Sequence, residues 1–519
     1  MSKSIGKRKL HSFVDYVKDL HARNLLRNSF PSDLGTKFND ELSSLPPYAY
    51  AGFDPTAESL HVGNLLILTN LLRVQQFGIQ PIALIGGATA RIGDPSGRTT
   101  ERNTISEDIV ENNAKSVTNQ VLSIFENATD QKPIIVNNYE WFGNMGMIDY
   151  LRNCKKMQLG EMLRMGAVKS RMESGISFTE FSYQTMQAYD WYMLDNKYGC
   201  RFQLGGSDQL GHLDFGAHNI KRLTNHFAAG VCLPLLVDSA GNKLGKSVGG
   251  GSLWLDSKKT SPYHFYQYFT QLHDDKAEEL LLQLSLRSID EVTGIVKEHR
   301  NSLGKRVAQI EIAEEVTKLV HGKIGLDSAK RCTNALFGGK NADFSNLQKD
   351  EILQLFGTTV DLRNVETIGQ LADLTRTDKV KGSELMKKGA FSVNGMKKLD
   401  PAEKLDNSHH LPNNPGLTLV CWGKRKYQLS APYLYMSGAA HSKLQKLVLS
   451  TYRDFLRASR NQHPSIRTHI RQEFRASATR FDKSEVLIIE HFLRRSQRQL
   501  ETIRKGQIEK ISVVENHKN

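Results

Sequence analysis

Between Tyr48 and Val237, short apolar runs of strand length (YAYAGF, PIALIGG, PIIVNN, CRFQLGG and LPLLV) alternate with longer stretches such as VGNLLILTNLLRVQQFG. In the longer stretches the apolar residues recur at the three- and four-residue spacing of one helix face. Strand-sized runs separated by helical stretches predict an α/β domain built on a parallel, Rossmann-like sheet. From Asp275 to about Phe337 the pattern turns helical throughout, in KAEELLLQLSL and RVAQIEIAEEVTKLVHG, and predicts an all-α domain. From about Thr367 to Leu429 it predicts two short helices and then strands that turn at Asn394-Gly395, a small α+β module. After APYLYMSGAAH a third texture begins, with a helix over Leu444–Arg460, a break at His463-Pro464 and basic helices to about Lys505. These textures divide the chain into an N-terminal extension (1–47), the α/β domain (48–270), the helical domain (271–355), the α+β module (356–432) and a C-terminal helical segment (436–519).

Composition narrows the picture. No run of eighteen apolar residues occurs, so insertion in a membrane is not expected. The five cysteines, Cys154, Cys200, Cys232, Cys332 and Cys421, form no CxxC pair and have no close histidine, so neither a metal site nor a disulfide framework follows. The stretch before the first acidic residue, Asp15, carries Lys3, Lys7, Arg8 and Lys9, as an organelle transit segment or a disordered basic start would. The net charge of +14 favours a polyanionic partner. From Ser437 onward seventeen lysines and arginines face eight acidic residues, so the last eighty or so residues hold most of that surplus and are a compositionally separate object.

Two loops carry candidate chemistry. In AGFDPTAESLHVGNL a strand ends near Gly52, a loop runs through Asp54 and Thr56, and a helix opens at His61, Val62, Gly63 and Asn64. A strand-loop-helix junction of this kind suits phosphates, and His61, Asn64 and Thr56 supply hydrogen-bond donors; taken alone it is equally an ordinary α/β turn. Far downstream, GNKLGKSVGG sets Lys243 and Lys246 beside Ser247 in a glycine-rich loop that can fold over a triphosphate, or can be no more than a solvated loop.

Together, HVGN and KLGKS in this order on an α/β domain resemble the two signatures of the class I aminoacyl-tRNA synthetases. GFDPTA, GGATARIGDPSGRTTER, GISFTEFSYQTMQAYD, GCRFQLGGSDQLGH and TSPYHFYQY resemble the blocks of the tyrosine-specific members, of bacterial and mitochondrial type, across roughly Leu20 to Leu429. The resemblance implies activation of tyrosine by ATP and its transfer to the 3′ end of tRNA(Tyr). Magnesium would arrive with the ATP, the protein would supply no metal ligands, and the enzyme would be a homodimer. It also implies roles for residues. Tyr50 and Asp190 would bond the substrate phenol, a discrimination against phenylalanine for which these enzymes are themselves the standard example. Asp94, Tyr183 and Gln187 would hold the ammonium, with Asp54 and Gln209 also at the tyrosine site. Gly52, Asp54, His61, Gly63, Asn64, Gly206, Asp208, Lys246 and Ser247 would hold ATP. The catalytic set would be Thr56, His61, Asn64, Arg98, Arg102, Lys243 and Lys246, acting by positioning and charge stabilisation. Two departures stand out: Asn64 replaces the usual final histidine of the first signature, and Leu244 the usual methionine of the second. The helical domain would bind the anticodon. GSELMKKGAFSVNGMKKL resembles a small RNA-binding module shared with a ribosomal protein, so Lys387, Lys388, Lys397 and Lys398 are candidate tRNA contacts, or a solvated basic face. EEVTKLVHG and GLDSAKRCTNAL resemble animal mitochondrial versions, which implies the mitochondrial matrix.

The C-terminal segment resembles LYR-motif mitochondrial proteins, most closely the first assembly factor of succinate dehydrogenase. That resemblance implies a role in iron-sulfur maturation, with the iron-sulfur subunit of succinate dehydrogenase as partner, through Tyr452, Arg453, Phe474, Arg494, Arg495 and Arg498. Thr451 stands where the Leu-Tyr-Arg triplet has leucine, which puts docking of the iron-sulfur transfer machinery in doubt. A competing reading of the whole chain is an RNA-binding protein, such as a splicing cofactor, on a synthetase scaffold.

Overall fold

The computed structural model describes residues 12–96, 105–172, 175–237, 252–337, 344, 346–356, 359–362, 365–376, 382–411, 414, 417–423, 426–431 and 455. The chain divides into two compact units, Met1–Leu355 and Phe356–Asn519.

The first unit is built on six strands: β1 (Asn28–Phe30), β2 (Tyr48–Phe53), β3 (Gln80–Ile85), β4 (Ile134–Asn137), β5 (Phe202–Gly206) and β6 (Ala229–Leu233). Their order is β1-β6-β5-β2-β3-β4, parallel throughout except for β1, which runs antiparallel to β6. The near-continuous apolar runs of β3 and β6 follow from cover on both faces of the sheet. The last strand falls at AGVCL rather than LPLLV, because Pro234 has no N–H for the ladder and ends it.

The Val62–Gln76 helix crosses from β2 to β3, and the Phe178–Tyr198 helix feeds β5. The latter starts where the Ser177 hydroxyl accepts from the Glu180 N–H and stops at Gly199, whose φ is +70°. The expected N-terminal extension is part of this fold from residue 12 onward. The Phe13–Ala22 helix buries Phe13, Tyr16, Val17 and Leu20, with the Phe13 ring 4.5 Å from that of Phe202, and β1 adds an edge strand.

Helices Pro262–Thr270, Asp274–Leu284, Ile289–Asn301 and Val307–Phe337 follow, the last broken at Gly322. One apolar core continues from the sheet into these helices across residue 270, so sheet and helices share a unit. Arg73, fully buried, donates to the Ser285 and Gln283 carbonyls at 2.8 and 3.0 Å and pins the Val62–Gln76 helix to the chain that leaves the Asp274–Leu284 helix.

The second unit holds β7 (Thr359–Asp361), β8 (Phe391–Val393), β9 (Met396–Lys397), β10 (Thr418–Trp422) and β11 (Lys426–Ala431), in the order β7-β11-β10-β8-β9. Helices Ile368–Leu374 and Gly382–Met386 close its core around Phe391 and Trp422. The β8–β9 hairpin turns at Asn394 and Gly395, both at positive φ, as an Asn-Gly turn requires.

Candidate functional site

The sheet reverses its winding at β2: β3 and β4 continue to one side, β5 and β6 to the other. The carboxyl ends of the strands at such a switch point frame a crevice, and here a cavity of about 720 Å³ opens there. It is lined by Tyr50, Gly52, Asp54, Thr56, His61, Gly63, Asn64, Asp94, Tyr183, Gln187, Asp190, Gly206, Asp208 and Gln209. The structure thus brings together every residue of the expected tyrosine, ATP and catalytic sets that lies among the described residues. Arg98, Arg102, Lys243, Lys246 and Ser247 lie outside them.

Asp190, buried on the Phe178–Tyr198 helix, accepts from Asn138 Nδ2 at 3.1 Å and from Trp141 Nε1 at 2.9 Å. Burial lifts its carboxyl well above the usual carboxylate range, against the pull of those two donors. Tyr50, on β2, is buried with a hydroxyl that has no partner among the described residues. Burial, and then the nearby Asp190, push its pKa well above 10, so it remains a phenol able to donate or accept.

A chain of hydrogen bonds continues from this pair. Asn138 Nδ2 also donates to Thr89 Oγ1 at 3.0 Å, Thr89 Oγ1 donates to Asp54 Oδ1 at 2.7 Å, and the Tyr183 hydroxyl donates to Asp54 Oδ2 at 3.0 Å. Because the Tyr183 proton goes to Asp54, its oxygen presents only lone pairs to a cation. Gln187 Nε2 donates to Gln209 Oε1 at 3.3 Å, and Gln209 Nε2 to Asp94 Oδ2 at 2.8 Å, leaving Gln187 Oε1 buried and without a partner among the described residues. Asp94 Oδ1 accepts from the Ser96 N–H at 2.8 Å. Burial raises the Asp94 carboxyl, but His212 and Ser96 more than offset this and hold it well below the usual range. A fixed carboxylate, a phenol oxygen and an amide oxygen around one space suit an ammonium group.

At the helix that follows β2, His61 and Asn64 form a reciprocal cap. His61 Nδ1 accepts from the Gly63 N–H at 3.0 Å, and Asn64 Oδ1 accepts from the His61 N–H at 3.1 Å. The cap sets both side chains at the positive helix end, where an anion is favoured. Gly63 is required by the His61 ring itself, since a Cβ there would lie 2.7 Å from His61 Cε1. The chain at Leu253 and Leu255 meets this helix end: the Val62 N–H donates to the Leu253 carbonyl and the Leu255 N–H to the Leu60 carbonyl, both at 2.9 Å.

Sequence reasoning missed Gly86, Thr89, Asn138, Trp141 and His212. Asn138 had a legible signal, a polar residue just past the carboxyl end of an apolar strand run. Gly86 opens the GGATARIGDPSGRTTER block, but the reason for it does not show there: a Cβ would sit 1.9 Å from Asp54 Oδ1, a contact known only from three dimensions. Among the described residues no cluster of three or more metal-ligating side chains occurs.

In the second unit Lys387, Lys388 and Lys397 are exposed, whereas Lys398 is half-buried and paired with Glu403 at 2.5 Å, its charge already answered. Tyr452, Arg453, Phe474, Arg494, Arg495 and Arg498 lie outside the described residues. No helix among the described residues is long and apolar enough to cross a membrane.

The family of class I tRNA synthetases (W and Y) matches residues 44–338. The mitochondrial tyrosine–tRNA ligase of Drosophila melanogaster is 39% identical over 436 residues, spanning 79% of this chain and 93% of its own length. The tyrosine–tRNA ligase of Oceanobacillus iheyensis is 37% identical over 431 residues, with 80% and 98% covered. The mitochondrial enzyme of Homo sapiens is 37% identical over 455 residues, with 82% and 94% covered. A C-terminally truncated mitochondrial tyrosyl-tRNA synthetase from Aspergillus nidulans superposes with a TM-score of 0.56 at 31% identity, over 64% of this chain and 95% of that one.

Proposed function

Because the chain belongs to the tyrosine–tRNA ligases of the class I tRNA synthetase family, we propose that the β2–β5 cavity joins tyrosine to ATP and passes the product to tRNA(Tyr). In the first step the tyrosine carboxylate attacks the α-phosphorus of ATP and pyrophosphate leaves. In the second, a ribose hydroxyl at the tRNA 3′ end attacks the carbonyl of the adenylate, and AMP leaves. Neither step needs a protein nucleophile, so positioning and charge stabilisation carry the rate.

One observation carries this reading: the buried, unpartnered Tyr50 hydroxyl beside Asp190, in the same cavity as the fixed carboxylate of Asp94. Tyr50 and Asp190 meet the substrate phenol, and Asp94, Tyr183 and Gln187 its ammonium. Asp54 fixes Tyr183, and Gln209 fixes Asp94. Gly206 and Asp208 take the ribose, with Gly52 beside them, while Thr56, His61 and Asn64 take phosphate oxygens at the helix end. Arg98, Arg102, Lys243, Lys246 and Ser247 complete the phosphate site by motif, and magnesium comes bound to ATP. Lys387, Lys388 and Lys397 contact tRNA phosphates, whereas Lys398 serves the fold of its hairpin.

A homodimer is supported by large apolar side chains left exposed between residues 147 and 178, among them Met147, Ile148, Leu151, Leu159 and Phe178. The mitochondrial relatives support a mitochondrial location, and we place the enzyme in the matrix. For residues 436–519 the support is sequence resemblance alone, and a part in assembling the iron-sulfur subunit of succinate dehydrogenase stays a secondary proposal.

Charging of tRNA(Tyr) by the purified full chain tests the reading. ATP-dependent tyrosyl ester formation, abolished by Asp190→Ala, is expected. A folded chain that binds the tRNA without charging it would favour the RNA-binding alternative.

A further inference from the structure

His212 closes the GCRFQLGGSDQLGH block but has no role in the sets above, and it is buried in the first turn of the Leu210–Thr224 helix, against the carboxylate proposed to hold the substrate ammonium. Its Nε2 lies 2.9 Å from Ser96 Oγ and 3.5 Å from Asp94 Oδ1, and the Tyr183 ring meets it edge-on at 5.6 Å. Its Nδ1 is buried and has no partner among the described residues, so the ring's only polar connection there is toward Ser96 and Asp94.

We propose that His212 is a positioning residue for tyrosine binding, which through Ser96 locks the Asp94 carboxylate in the orientation that receives the substrate ammonium. With Nε2–H donating to Ser96 Oγ, the serine hydroxyl proton is directed to Asp94 while the serine N–H bonds Oδ1. Gln209 Nε2 holds the other oxygen at 2.8 Å. The carboxylate is thereby gripped on both oxygens from its protein side. Without the imidazole, the Ser96 hydroxyl can rotate away and Asp94 loses one of the anchors that fix its plane. The Tyr183 phenol, which packs on the same ring and belongs to the same ammonium site, would lose its backing as well.

The inference rests on Asp94 as the ammonium ligand, so the test must separate the two claims. In pyrophosphate exchange with the full chain, His212→Leu is expected to raise KM for tyrosine about tenfold, the order set by one hydrogen bond to a charged group, and to leave KM for ATP unchanged. His212→Gln, which restores an N–H at a similar reach, should recover most of the loss. Inhibition by 3-(4-hydroxyphenyl)propanoate, which has the phenol and carboxylate but no ammonium, should be the same in all three proteins. Ser96→Ala provides the same comparison should the leucine variant not fold, with the same selective loss expected. A rise in both KM values, an equal loss of the deaminated inhibitor, or no change in tyrosine KM would each overturn the proposal. If Asp94→Asn leaves tyrosine KM unchanged, the assignment of the ammonium site is wrong and this inference goes with it.

Discussion

A buried hydroxyl without a partner is costly, and among the described residues Tyr50 Oη is left in that state, facing the cavity proposed to take tyrosine. A substrate hydroxyl removes the cost, whereas phenylalanine leaves Tyr50 short of a partner, so discrimination is stored in the protein before substrate arrives. Tyr50→Phe should therefore lower kcat/KM for tyrosine by about 0.5–1.5 kcal/mol of transition-state binding, roughly two- to tenfold, and leave the value for phenylalanine nearly unchanged. Parallel kinetics with the two amino acids would check this, and equal losses for both would count against it. At this scale the sequence was informative wherever a residue belongs to a contiguous block. Tyr50, Asp94 and Asp190 could be found because YAYAGFDPTA, GDPSG and TMQAYD keep their order. Thr89, Trp141 and His212 lie in or near such blocks, but they act through contacts with residues far away in the chain, and only the folded chain reveals those.

At the scale of elements, the Val307–Phe337 helix carries its own punctuation. Gly322 sits at φ +69°, ψ −179°, a conformation open essentially to glycine alone, and Asn127 Nδ2 donates to the nearby Leu319 carbonyl at 3.0 Å. Gly322→Ala should cost about 1–3 kcal/mol of stability, visible as a fall in Tm with tyrosine KM unchanged. The neighbouring His321 packs on Phe265 at 5.0 Å, and burial lowers its pKa from 6.5 to about 4. Between those values the unfolded chain takes up a proton that the folded chain refuses. Its contribution to stability is therefore whole above about pH 6.5 and lost progressively as the pH falls toward 4. Thermal melts from pH 7 to pH 5 should show a shallower decline for His321→Gln than for the natural chain. The helix itself is legible from its apolar period; the break is not, because a glycine inside a helical pattern does not by itself announce a positive φ. The end of β6 was likewise misplaced: LPLLV looks as apolar as AGVCL, and only the missing N–H of Pro234 separates them. In the sequence the first helix reads as an extension because its basic preface hides the Phe13, Tyr16, Val17 and Leu20 face that packs on the sheet.

For the whole molecule, the sheet order sets the location of chemistry and the charge distribution sets a division of labour. Alternating strand and helix patterns were enough to foresee the α/β unit, whereas its shared core with the helical region could not be read from periodicity within either part. Most of the positive surplus lies after residue 436, outside the region matched by the family, while every described residue proposed to bind tyrosine directly lies before residue 210. Removing residues 436–519 should consequently leave tyrosine activation unchanged, as measured by exchange rates of the shortened and full chains, and a large loss would mean that the segment supports the catalytic unit. The central claim is that this cavity activates tyrosine and rejects phenylalanine. Amino-acid-dependent exchange of labelled pyrophosphate into ATP by the full chain tests it most directly. The account predicts rapid exchange with tyrosine, little with phenylalanine and none with tyrosine in Asp190→Ala; exchange absent from a folded chain, or equal for the two amino acids, would contradict it.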